Sequence, residues 1–109
     1  MGRETLGDFE HQVLLTILRL GGESYSVPIV EELDSRTGRE VAQAAVFIVL
    51  RRMENKGLLK SRFDEEVPKQ PGRARRYFKL TALGLKRLKE SRRQLLELWD
   101  GLSTVLDKA

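Results

Sequence analysis

Two groups of residues in this 109-residue chain have side chains and spacings that could do chemistry, and both suit recognition of a polyanion. Lys69, Arg73, Arg75 and Arg76 place four cations within eight residues beside Gly72. A loop of that kind can lay charge along a phosphate backbone. Upstream, Gln43, Ala44, Phe47, Ile48, Arg51 and Arg52 share one segment. Gln pairs bidentately with adenine, Ala and Ile suit thymine methyl groups, and Arg suits guanine or phosphate. Plainer readings stand beside these. Arg73 can pair with Asp64, Glu65 or Glu66, Phe47 and Ile48 can belong partly to a core, and the arginines can be simply solvated. Catalysis has little to work with. Cys is absent and His11 is the only histidine, so thiolate nucleophiles, disulfides and multi-histidine metal sites are excluded. Asp8 and Glu10 are two residues apart and do not face each other on a helix. No enzyme activity, metal or cofactor is expected.

The charge distribution favours the same partner. The net charge is +4, but residues 1–40 carry four Lys/Arg against eight Asp/Glu, and residues 41–100 carry fifteen against seven. A basic middle and C-terminal part on an acidic beginning points first to nucleic acid. The length fits one compact unit, and 40% apolar residues allow one modest core. No apolar run reaches the roughly 18–20 residues needed to span a bilayer, and no signal-peptide pattern opens the chain. A cytoplasmic location without membrane contact is expected.

These residues must be held by five segments. Residues 8–20 read as a helix, with Thr5 and Asp8 as a capping pair and Phe9, Val13, Leu14, Ile17, Leu18 and Leu20 as its apolar stripe. Gly21 and Gly22 stop it. Ser26 caps a second helix, which carries Pro28 in its first turn and ends at Gly38. Residues 41–56 hold a continuous apolar run over 44–50, which periodicity alone cannot separate from a buried strand. Continuation through Met53 and the Lys56-Gly57 stop favour a helix with Val46, Val49, Leu50 and Met53 inward. Residues 58–63 and 75–80 read as a hairpin with a polar connection. Thr81 opens a long helix expected to reach about residue 107 and to span roughly 40 Å. Leu85, Leu88, Leu95, Trp99, Leu102 and Leu106 follow an alternating three- and four-residue spacing, broken only at Arg92. Such a stripe calls for a partner, and a second copy of the chain supplies one.

Helix, helix, helix, hairpin is the order of a winged helix-turn-helix. The expected fold is therefore mainly α: three helices and a two-stranded wing over residues 1–80, and a dimerisation helix over 81–109. The third helix would enter the major groove, and the wing would reach phosphates or a flanking minor groove. Three blocks strengthen this reading. They are Leu6-Gly7-Asp8-Phe9-Glu10 with Leu14-Leu15-x-Ile17-Leu18 and Tyr25-Ser26-Val27-Pro28-Ile29; Val46-Phe47-x-Val49-Leu50-x-Arg52-Met53-Glu54-x-Lys56-Gly57-Leu58-Leu59; and Gly72-Arg73-Ala74-Arg75-Arg76-Tyr77-Phe78-Lys79-Leu80-Thr81-x-x-Gly84. Together they resemble PadR-type transcriptional regulators over about residues 6–84, in the short form with one C-terminal helix. The resemblance implies a dimeric cytoplasmic repressor of double-stranded DNA, often released by a small molecule. It also allows Trp99 to line a ligand slot between subunits, beside its plainer role as an anchor of the seam. Phe47 stands where the family commonly has Tyr, which removes a hydroxyl, and Ile48 and Val49 make the third helix more apolar than usual. The alternative is a protein-interaction module that uses the long helix without DNA.

Overall fold

The computed structural model describes residues 6–64 and 75–108. Among them the elements run α1 (Asp8–Arg19), β1 (Glu23–Ser24), α2 (Ser26–Thr37), α3 (Gln43–Asn55), β2 (Leu59–Asp64), β3 (Arg75–Leu80), α4 (Ala82–Trp99) and α5 (Ser103–Asp107). The three strands form one antiparallel sheet in the order β1-β3-β2. The fold is mainly helical with a winged helix-turn-helix arrangement, as the sequence predicts.

α1 starts one residue after Gly7, whose N–H donates to the Glu10 carboxylate at 3.0 Å. Gly7 is thus the N-cap in place of the expected Thr5–Asp8 pair, and Thr5 lies outside the described residues. Val13, Leu14 and Ile17 are buried, whereas Leu18, expected in the same stripe, is exposed. Gly21 and Gly22 end the helix with φ of 96° and 95°, a region that glycine enters without steric cost. Their turn sends Glu23-Ser24 alongside β3, with Glu23 opposite Lys79 and Ser24 opposite Phe78. This third strand is absent from the sequence reading, because two residues are too short to show alternation.

Ser26 is the first helical residue of α2 and Tyr25 its N-cap, one position earlier than expected. Gly38 ends α2 at φ 72°. In α3, the inward residues Val46, Val49, Leu50 and Met53 recur at the i, i+3, i+4, i+7 spacing of a helix, which resolves the strand ambiguity. They meet Val13, Leu14 and Ile17 of α1, Ile29 and Leu33 of α2, and Phe78 of β3 in one core. Each such side chain contributes about 1.5–3 kcal/mol when fully buried.

α4 is set on this core by two local devices. The Thr81 hydroxyl oxygen accepts the Gly84 N–H at 3.0 Å, and its O–H donates to the Gly57 carbonyl at 2.7 Å. Gly84 is buried against the turn that follows α3, where a Cβ would lie 2.3 Å from the Leu58 carbonyl oxygen. The helix is shorter than its apolar spacing implies. Asp100 leaves helical geometry at ψ 126° and Gly101 takes φ 79°, so α4 stops at Trp99 and α5 restarts at Ser103. The apolar spacing runs through a left-handed glycine that ends the helix. Leu88, expected at a subunit seam, is only 4% exposed and belongs to the chain's own core.

His11 of α1 and Ser91 of α4 are joined by a hydrogen bond of 2.8 Å between Nδ1 and Oγ. Burial holds the imidazole below its ordinary value of 6.5, and the nearby Asp8 carboxylate opposes that only in part. The unfolded chain therefore takes up the proton first as pH falls, so the folded state loses stability below about pH 6.5. The melting temperature should be flat above that pH and decline below it, with a smaller decline in His11→Gln. Equal declines in both proteins would place the titrating group elsewhere.

Candidate nucleic-acid interface

α3 buries one stripe and turns the other outward. Ala44, Ile48, Arg51 and Asn55 recur at i, i+4, i+7 and i+11, opposite the buried Val46, Val49, Leu50 and Met53. Ile48 is 59% exposed. Phe47 sits at the margin, 37% exposed, with its ring edge-on to Phe78 at 5.9 Å between centroids. Gln43, the first residue of the helix, donates from Nε2 to the Ser26 hydroxyl at 3.0 Å. That bond ties the start of α3 to the start of α2 and fixes the plane of the Gln43 amide. An amide nitrogen carries two hydrogens, so one N–H and the carbonyl oxygen remain as the donor–acceptor pair that adenine requires.

The C-terminal end of α3 is fastened to the wing through Glu54. Its carboxylate accepts from the Ser61 hydroxyl, from the Ser61 N–H at 3.0 Å and from Arg76 at 2.8 Å. Burial raises the Glu54 pKa, but the Ser61 and Arg76 bonds outweigh it and hold the carboxyl below its ordinary value. Arg76 also donates to the Ser61 hydroxyl oxygen at 3.1 Å and lies over the rings of Phe63 and Phe78. Its guanidinium is therefore engaged between α3 and the sheet and does not project from the wing. Arg51 Nε lies 3.7 Å from Oε1 of Glu54, the oxygen that Arg76 also binds, and stays half-exposed, and Arg52 is exposed. This network is the feature that sequence reasoning missed. The strand register carries it: Phe63 opposes Arg76 and Ser61 opposes Phe78, on the face toward α3.

The other face of the sheet carries a row of stacked cations and rings. Arg62 lies over Tyr77 and Arg75 over Tyr25, each at 4.7 Å, and the two tyrosines meet edge-on at 5.2 Å. Arg62 is also paired with Glu23 at 3.0 Å. Arg75 is exposed at the root of the wing, on the solvent side. Lys69 and Arg73 lie outside the described residues.

Beyond the core, α4 and α5 leave many apolar side chains uncovered. Leu95, Trp99, Leu102 and Leu106 are each about half-exposed, and Leu85 is partly exposed. Leu15 and Leu18 of α1 join Leu85, Leu88, Leu95 and Leu96 of α4 around a groove of about 420 Å³, rimmed by Lys89 and Arg92. Trp99 is not among the residues that line it. No helix among the described residues is long and apolar enough to cross a membrane.

Residues 14–90 match the transcriptional regulator PadR-like family. Among solved structures, a PadR-like transcription factor from Bacteroides fragilis superposes with a TM-score of 0.73 at 25% identity, covering 89% of this chain and 88% of that one. A PadR family transcriptional regulator from Eggerthella lenta gives 0.68 at 28% identity over 89% of this chain and 82% of that one. A winged-helix DNA-binding protein from STIV gives 0.70 at 12% identity, over 90% and 98%, a likeness of fold alone. No curated protein matches the chain.

Proposed function

The chain belongs to the PadR-like family of transcriptional regulators, winged-helix proteins that bind DNA, and from that premise we propose that it is a homodimeric repressor acting on a near-palindromic operator. The observation that carries this reading is the two-sided construction of α3. One stripe is locked in the core, and the opposite stripe offers Ala44, Ile48 and Arg51 to an outside partner. In the complex α3 enters the major groove, with Gln43 at the leading end set for adenine. Arg51 and Arg52 lie further along, where guanine or phosphate is within reach, and Phe47 lies at the groove edge. The second copy docks on the uncovered apolar side chains of α4 and α5, chiefly Leu95, Trp99, Leu102 and Leu106, with Leu85 contributing from the groove beside α1. Two α3 helices then lie about one helical turn apart on the same side of the duplex. A small effector taken up beside Trp99 would alter this seam and release the operator.

Selecting bound sequences from random duplex DNA tests the reading. The expected result is a palindromic consensus whose affinity falls steeply with salt. A protein that enriches no sequence and binds duplex independently of salt would instead be an interaction module that uses its C-terminal helices.

The wing supplies affinity and leaves sequence choice to α3. Arg73 and Arg75 to Ala together should weaken binding to operator and random duplex alike, and flatten the salt slope by about one unit per lost phosphate contact. Arg76→Ala should behave differently. It removes the 2.8 Å bond to the Glu54 carboxylate, leaving only the looser Arg51 pair at 3.7 Å, and should lower the melting temperature before it changes the salt slope. Unequal losses between operator and random DNA for the Arg73 and Arg75 pair would mean that the wing reads groove shape.

A further inference from the structure

Resting on the reading of α3 as the groove-entering helix, we propose that Ile48, supported by Ala44, determines specificity by contacting the C5-methyl group of a thymine in each half-site. The N-terminal half of the outward stripe is alkyl. Ala44 and Ile48 stand one turn apart on it, and Ile48 is left 59% exposed in the free chain. The side chains that could offer hydrogen bonds flank this alkyl pair. Gln43 leans to one side, bonded to Ser26, and Arg51 is drawn toward Glu54 at the far end. The floor of the major groove presents one apolar feature, the thymine methyl; every other base edge shows donors and acceptors. An alkyl patch pressed onto such an edge would strip water from polar groups without replacing their hydrogen bonds, which is unfavourable. The same patch on a methyl group removes apolar surface from water on both sides. The cations flanking the patch, Arg51 and Arg52, suit a polyanion as the occupant of this face better than an apolar protein surface.

The test uses the full chain and its selected operator, with each thymine replaced in turn by deoxyuridine, which differs only by the missing methyl. At one thymine position in each half-site the replacement should weaken binding by about fourfold, and by about 15-fold when both half-sites carry it, from the value of one buried methylene-sized group. Ile48→Ala, at an exposed position that leaves the core intact, should bind thymine and deoxyuridine equally there. In the wild type, 5-methylcytosine at that position should bind better than cytosine by a similar factor. Equal binding of thymine and deoxyuridine at every position by the wild-type protein would overturn the proposal. So would a methyl dependence that survives unchanged in a folded Ile48→Ala or Ile48→Ser variant. Failure to bind any duplex would overturn the DNA reading itself, and with it this one, and is distinguished from them because no operator would be selected.

Discussion

Glutamate in place of both Leu95 and Leu102 is expected to leave a folded monomer that has lost almost all operator affinity. Both leucines are about half-exposed in the single chain, so the substitution removes little from its own core. In the proposed homodimer the same positions are covered, and each copy would place two carboxylates in a mainly apolar seam. An uncompensated buried charge costs about 3–5 kcal/mol. Four of them exceed the roughly 8 kcal/mol that holds a micromolar dimer together. The monomer would then engage one half-site at a time and lose the effective-concentration gain of two linked sites, about 10²–10⁴ in affinity. Sedimentation and a DNA titration on the same sample check both halves. A double variant that still sediments as a dimer would place the interface elsewhere. Leu88 is a poor choice for this experiment, because it is packed in the chain's own core and its replacement would unfold the domain.

Among the described glycines, position 84 is where a substitution to alanine is expected to do the most damage. A Cβ there would sit 2.3 Å from the Leu58 carbonyl oxygen and 2.7 Å from Leu80 Cδ1. The first contact is backbone, so no rotamer change relieves it. α4 must move away from the turn after α3, and the Thr81 bonds to Gly57 and Gly84 stretch with it. Overpacking of this kind costs about 1–3 kcal/mol and occasionally more, and the roughly 1 kcal/mol gained in helix propensity offsets part of it. Because the 2.3 Å contact is to backbone, the cost falls at the upper end, about 3 kcal/mol, and the net loss of about 2 kcal/mol should lower the melting temperature of a domain this size by roughly 8–16 °C. Gly101→Ala is the control. It also replaces a glycine near α4, at φ 79° but with open space around the added carbon, and should cost only about 1 kcal/mol. If the two variants melt alike, the close approach of α4 to the turn is not what position 84 supports. Because α4 carries the proposed dimer seam, whatever Gly84→Ala protein survives should also bind its operator less tightly, through altered spacing of the two α3 helices.

The couplings around Glu54 and Gln43 bear on the same point. Gln43 holds the start of α3 to α2, and Glu54 holds its end to β2 and β3. In the proposed complex, a helix fixed at both ends presents its outer stripe in one orientation, so its side chains need little further ordering on binding.

The amino-acid sequence by itself determined the features that are local or periodic. Thr81 as N-cap of α4, Gly38 as the stop of α2, and the inward set Val46, Val49, Leu50 and Met53 were legible because caps and helical spacing act within a few residues of one another. The break at Gly101 is a local signal too, but the apolar spacing that continues past it reads more strongly. Tertiary structure alone decided what covers each apolar face and what partners each charge. Leu88 and Leu95 look equivalent along the helix, yet one meets the chain's own core and the other is left about half-exposed. Arg75 and Arg76 are adjacent cations, yet the alternation of β3 sends them to opposite faces, one onto Tyr25 in solvent and the other onto Glu54. β1 exists only because Glu23 finds Lys79, far along the chain. Periodicity tells which side of an element is apolar or charged, whereas its neighbour is set by register and packing between distant segments, where carboxylate, ring and carbonyl come within a few ångströms.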